Sequence, residues 1–149
     1  LKIYSGTLCG VPASVLFSGV CRVNAAVAAQ ILICKFGADA IINAGTAGAV
    51  SSSLNVFDTV IATETTYHDV ADDILTEFHP WLKSVWFPAD PGLLTLSKRA
   101  VSKIPHPVFF GRMVTGESFI SNAGRSILKT SFSPSQPIWK RRPLRMCVM

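Results

Sequence analysis

The stretch Ala38-Asp39-Ala40-Ile41-Ile42-Asn43-Ala44-Gly45-Thr46-Ala47-Gly48-Ala49-Val50 reads as a buried strand over Asp39 to Asn43 that runs into a turn of small residues. Glycines at positions 45 and 48 let a ligand come close to the main chain and meet its N–H donors. In open α/β sheets the carboxyl end of a strand is where ligands sit. Thr46 adds a hydroxyl. No Gly-Lys-Ser/Thr follows, so this is not a Walker loop, and the G-x-G-x-x-G fingerprint is absent too. An ordinary tight turn is the alternative for this stretch taken alone.

Upstream, Lys2 to Leu8 and Pro12 to Phe17 read as two strands joined at Cys9-Gly10. Gly19 opens a helix. Asn24 to Ile33 carries the small and aliphatic residues of a helix packed on a sheet, and Lys35-Phe36-Gly37 supplies its stop. Strand, helix and strand in that order favour a parallel pair. Downstream, Val56 to Glu64 reads as a strand entered through Ser51-Ser52-Ser53. Residues 67 to 92 are too irregular for one element, and such an excursion suits a lid or a subunit contact. Leu93 to Ile104 has helical spacing, and Val108 to Thr115 is strand-like. It leads into a second turn, Gly116-Glu117-Ser118-Phe119-Ile120.

The chain has 149 residues, about one domain, with 49% hydrophobic and 15% charged residues, the composition of a packed α/β protein. No apolar run reaches the roughly 18 to 20 residues a bilayer crossing needs, which predicts a soluble chain without a membrane partner. Of 14 basic residues, Lys140, Arg141, Arg142 and Arg145 crowd into the last ten positions, and the remaining ten nearly balance nine acids. The net charge of +5 is therefore a tail property and argues against a nucleic-acid partner. Cys9, Cys21, Cys34 and Cys147 have no C-x-x-C spacing. Three of them lie in apolar segments, where buried, reduced thiols and a cytoplasmic location are expected. Leu1 is not an initiator methionine, residues before it can be missing, and no secretory leader is visible.

In the second turn, Phe119 suits stacking on a flat heterocycle while the Ile120 main chain reads its edge; a core phenylalanine is the alternative. Glu117 is either an acid or base, or a solvated turn carboxylate. Tyr67-His68-Asp69, near Asp72, Asp73 and His79, invites a metal reading. Adjacent His and Asp point to opposite sides of a strand, and no second histidine stands at helical spacing, so a loop hydrogen-bond network is expected and no metal. Ser118 lacks a G-x-S-x-G frame, which argues against a serine hydrolase.

Taken together, Ser18-Gly19-Val20-Cys21-Arg22-Val23-Asn24-Ala25-Ala26, Asn43 to Val50, Tyr67-His68-Asp69 and Val114-Thr115-Gly116-Glu117-Ser118-Phe119-Ile120 resemble the 5′-methylthioadenosine/S-adenosylhomocysteine nucleosidases of the purine nucleoside phosphorylase superfamily. The likeness runs over residues 1 to 133. It implies an α/β, nucleoside-phosphorylase-like three-layer fold with a central mixed sheet flanked by helices. It also implies a cytoplasmic, cofactor-free homodimer that hydrolyses the N-glycosidic bond of either nucleoside and releases adenine, in methionine salvage. Carried over by motif, Thr46, Ala47 and Gly48 line the ribose and water region and Val20 faces the 5′-thio group. Phe119 stacks on adenine, and the Ile120 main chain bonds its edge. Phosphorylases of this fold usually carry an arginine two residues before the glycine matching Gly45. Here that position is Asn43, so the bidentate phosphate grip is lost and water is the expected second substrate. A purine nucleoside phosphorylase and a non-catalytic adenine- or nucleoside-binding module are the alternatives.

The resemblance also implies features that this chain lacks. The family's first strand carries a catalytic glutamate upstream of Leu1, and its Met-Glu ribose motif and adenine-protonating aspartate should follow residue 133. The catalytic residues of this chain are therefore unknown, and the fold is expected to be incomplete at both ends. Cys21 replaces a glycine. Residues 134 to 149 carry two prolines after Pro134, have neither period, and read as a basic, non-native tail. If Ile138 is encoded ATA, reading from its third base through Trp139 and Lys140 gives ATG-GAA, which is Met-Glu. Allowed codons for Arg141 to Met149 continue that frame as Thr-Ala-Ala-Ile-Ala-His-Val-Cys-Tyr, matching the family's helix. A frameshift near Ser135 is the expectation, and little or no turnover by this chain alone goes with it.

Overall fold

The computed structural model describes residues 2–118, 120, 138–141 and 146–148. These fall into two compact units, Leu1–Ala47 with Arg141–Met149, and Gly48–Lys140. The architecture is mixed α/β, as the sequence implies.

In the first unit, β1 (Ile3–Leu8) and β2 (Val11–Gly19) form an antiparallel hairpin with Leu8 opposite Val11. The two turn residues, Cys9 at φ 50° and Gly10 at φ 83°, are both left-handed, the signature of the tight turn that matches strand twist. Helix α1 (Arg22–Phe36) follows and ends where Gly37 takes φ 62°, with the Ala38 N–H donating to the Leu32 carbonyl at 3.1 Å. Ala28 and Leu32, four residues apart on one helical face, bury against Leu16 of β2, with Ile3, Ala38 and Ile41 packed around them.

The short strands β3 (Asn43–Ala44) and β4 (Ala47–Ala49) flank Gly45-Thr46, so the strand expected over Asp39 to Asn43 is displaced toward its carboxyl end. The first unit's sheet has the order β1-β2-β9-β3, where β9 is Met146–Val148. Both β2 and β3 run antiparallel to β9, so they point the same way as expected but with β9 between them rather than as a direct pair.

The second unit's sheet has the order β4-β8-β7-β5-β6, with β5 Thr59–Tyr67, β6 Phe87–Pro88, β7 Val108–Thr115 and β8 Ile138–Arg141. It is mixed: β5 pairs parallel with β7 and antiparallel with β6, and β7 pairs parallel with β8. The strand expected from Val56 starts three residues later. Asn55 to Asp58 is a turn in which Asp58 Oδ2 accepts the Asn55 N–H at 2.8 Å, and Val56 and Phe57 are exposed. The excursion after β5 holds helix α2 (Asp72–Glu77) and β6. Helix α3 (Pro91–Val101) is capped by Asp90, whose Oδ1 accepts the Leu93 N–H at 2.8 Å, with proline in the first turn where no donor is needed.

Two stretches of the segment that reads without period are strands, β8 and β9. Sheet pairing is made by the main chain of the neighbouring strands, so it does not demand the side-chain alternation by which sequence reading finds strands.

Candidate functional site

Parallel pairing of β5 and β7 brings their carboxyl ends side by side, with Tyr67 in register with Thr115. Beyond them the ladder gains one more bond, from the His68 N–H to the Thr115 carbonyl at 2.9 Å. The two connections then lock together, because Asp69 Oδ2 accepts the Glu117 N–H at 2.8 Å. Gly116 lies directly beneath this contact. A Cβ there would stand 2.5 Å from His68 Nε2 and 2.8 Å from Asp69 Cγ, closer than real Cβ atoms come, so the position admits only glycine as packed. The loop hydrogen-bond network expected at Tyr67-His68-Asp69 is thus the contact that holds the second turn.

An apolar floor lies under that turn. Val50, the residue after β4, and Val114 of β7 form a buried cluster with Trp86 and Ile120 packed on it. The strand carrying Gly48 and the turn carrying Ile120 therefore meet over one set of side chains. Gly48 and Ile120 are both half-buried, and Phe119 lies outside the described residues. Main-chain groups above an apolar floor suit a flat, largely uncharged ligand.

The other residues expected to bind the ligand, Val20, Thr46 and Ala47, and Cys9, Cys21 and Cys34 belong to the first unit. Thr46 and Ala47 are exposed, the former in the β3–β4 turn and the latter at the start of β4. Val20 is exposed, and its carbonyl accepts from Asn24 Nδ2 at 2.6 Å. It sits between Gly19 at φ 81° and Cys21 at φ 79°, ψ 156°. The Cys21 conformation is one that glycine alone adopts readily, which accords with the glycine that the resemblance implies there. Cys9, Cys21 and Cys34 are all exposed, contrary to the burial expected from their apolar surroundings. Two of them occupy left-handed turn positions, and Cys34 lies on an outward part of α1.

Sequence reading missed the group that anchors the floor from the side. Glu64 of β5 and Arg112 of β7 are register partners and form a half-buried ion pair through Arg112 Nε. The Arg112 guanidinium lies 4.4 Å from the Trp86 ring centroid, a cation–π contact. Both charged groups keep contact with solvent, so the pair adds at most about 1 kcal/mol, and its main effect is to orient the tryptophan. The backbone around Trp86 is tied to β5 by Thr66 Oγ1 donating to the Val85 carbonyl at 2.6 Å and by the Ala89 N–H donating to the Thr63 carbonyl at 2.9 Å. Alternation along β5 and β7 places Glu64 with Thr66 and Arg112 with Val114, but pairing them requires the register.

Glu117 is exposed at its turn, and its N–H does the structural work there. Among the described residues no group of three or more His, Cys, Asp or Glu stands close enough together to hold a metal ion. No described helix is long and apolar enough to cross a membrane.

Residues 1–131 match a known family model, that of the phosphorylase superfamily. The chain belongs to the phosphorylase superfamily. Within it, the chain is 35% identical over 144 residues to the 5′-methylthioadenosine/S-adenosylhomocysteine nucleosidase of Staphylococcus carnosus, covering 93% of this chain and 62% of that protein. Among solved structures, the Neisseria meningitidis nucleosidase in complex with methylthio-immucillin-A superposes with a TM-score of 0.79 at 33% identity, over 95% of this chain and 63% of that one. The Colwellia psychrerythraea nucleosidase in complex with adenine gives a TM-score of 0.78 at 28% identity, over 91% and 58%. This chain thus spans about 60% of the length of the relatives it matches.

Proposed function

We propose that the chain binds adenine nucleosides of the methylthioadenosine and adenosylhomocysteine type, and that it comes from a lineage that hydrolyses their N-glycosidic bond. The observation that carries this reading is the meeting of the Gly48 strand and the Ile120 turn on the Val50–Val114 cluster, beside the carboxyl ends of β5 and β7. The relatives solved with adenine and with a methylthio-immucillin support the same ligand class.

In this reading Phe119 stacks on the adenine and the Ile120 main chain bonds its edge. Thr46, Ala47 and Gly48 line the ribose and the attacking water, and Val20 faces the 5′-thio substituent. Breaking the glycosidic bond sends its electron pair to the base, which an acid protonates, and leaves an oxocarbenium-like ribose that water captures. Asn43 in place of arginine favours water over phosphate as the second substrate. The same reading makes the protein a cofactor-free cytoplasmic homodimer.

Residues 1–133 form the nucleosidase-like part, and residues 134–149 are the product of a shifted frame that withholds the Met-Glu ribose contact. Without that contact the ribose is held less firmly as its positive charge develops, so this polypeptide binds its nucleoside with little turnover. An adenine-release assay on the purified chain, with and without phosphate, tests the proposal. Release far slower than by a full-length nucleosidase, and insensitive to phosphate, is expected. Phosphate-dependent cleavage would instead assign a nucleoside phosphorylase, and normal turnover would refute the account of the tail.

A further inference from the structure

We infer that Asp69 is a positioning residue for the purine-binding turn, an inference that rests on the function proposed above. Asp69 acts on the turn through the main chain of Glu117. The turn leaves β7 at Thr115, and two hydrogen bonds hold its start: the Thr115 carbonyl accepts the His68 N–H, and the Glu117 N–H donates to the Asp69 side-chain carboxylate. Glu117 lies two residues before the proposed stacking ring and three before the main chain that reads the base edge, so rotation of its peptide plane would carry both away. The donor is a main-chain N–H in an exposed turn. A carboxylate acceptor makes this bond stronger than a neutral one.

The contact is also held from below. Gly116 has no room for a Cβ because Asp69 Cγ and the His68 ring are already there, so the loop after β5 and the turn after β7 are fitted to each other rather than merely adjacent. The parallel register of β5 and β7 fixes the two strand ends in turn. Nothing in this arrangement calls for Asp69 to meet the substrate. Its part is to hold one conformation of the turn before the base arrives, which lowers the ordering cost of binding.

The test compares the full chain with its Asp69→Ala and Asp69→Asn variants. Adenine affinity is measured by calorimetry, and exchange of the Glu117 amide is followed by NMR alongside the amides of β5 and β7 as a control for folding. The asparagine variant keeps an oxygen acceptor at this position and the alanine variant does not. The expected result is adenine binding weakened about tenfold or more in Asp69→Ala and substantially restored in Asp69→Asn, with faster exchange at Glu117 in the alanine variant and unchanged protection in the strands. Loss of strand protection together with loss of binding would make Asp69 a general stability residue and overturn the inference. Equal adenine affinity in all three proteins would overturn it while leaving the nucleoside reading intact. Adenine binding by none of the three would overturn both.

Discussion

Gly116 and His68 meet so closely at the ends of β7 and β5 that a Cβ added to the glycine would lie 2.5 Å from His68 Nε2. Gly116→Ala must therefore displace the His68 ring and the Asp69 carboxylate, or move the segments that carry them. We expect a loss of about 1 to 3 kcal/mol in stability, the usual cost of overpacking a fitted site, measured by urea unfolding. A Gly116→Ala protein as stable as the original would mean that the two connections do not pack as described.

Cys21 is expected to behave in the opposite sense. At φ 79° and ψ 156° it holds a conformation suited to glycine, just before α1 and next to Val20. Cys21→Gly should raise stability by about 1 kcal/mol or more by relieving that strain, net of the entropy that glycine adds to the unfolded chain. An unchanged or lower urea midpoint with the same slope would show that the cysteine is unstrained.

The β1–β2 turn offers a smaller gain. Cys9 at φ 50° precedes Gly10 at φ 83°, where Asn-Gly is the favoured pair. Cys9→Asn is expected to stabilise the chain by a few tenths of a kcal/mol to about 1 kcal/mol, read as a rise in the thermal midpoint. A fall would argue against a left-handed turn.

Thr66, only 2% exposed, donates to the Val85 carbonyl and so ties the Trp86 segment to β5. Thr66→Val keeps the shape and leaves that carbonyl without its donor, at a cost of about 1 to 3 kcal/mol. Limited proteolysis between residues 78 and 90 should quicken in the variant. Equal cleavage rates would remove Thr66 as the tie.

Much of the fold is legible locally. Gly37 after a run of small and aliphatic residues and Cys9-Gly10 between two strands are stop and turn signals that act over a few residues, and each marks the boundary the structure has, whereas the helix expected over Leu93 to Ile104 runs from Pro91 to Val101, set by the Asp90 cap. Strand β7 also coincides with its expected bounds. Strand β5 begins later than its apolar lead-in suggests because Val56 and Phe57 are exposed at a turn fixed by Asp58, and hydrophobicity does not report which way a turn faces. The motifs carrying Gly48 and Ile120 are readable from sequence; the bond from Asp69 to Glu117, 48 residues apart, and the stacking of Arg112 on Trp86 are not. The first exists because the parallel register of β5 and β7 brings their ends together, and the second because β6 pairs antiparallel on the other edge of β5 and carries Trp86 with it.

The central claim is that the main-chain turns at Gly48 and Ile120 take one purine ligand between them. Titrating the isotopically labelled chain with adenine and following the two amides by NMR tests this most directly. The account predicts that both signals move along the titration with a single dissociation constant. Movement of only one amide, or of neither at saturating adenine, would contradict it.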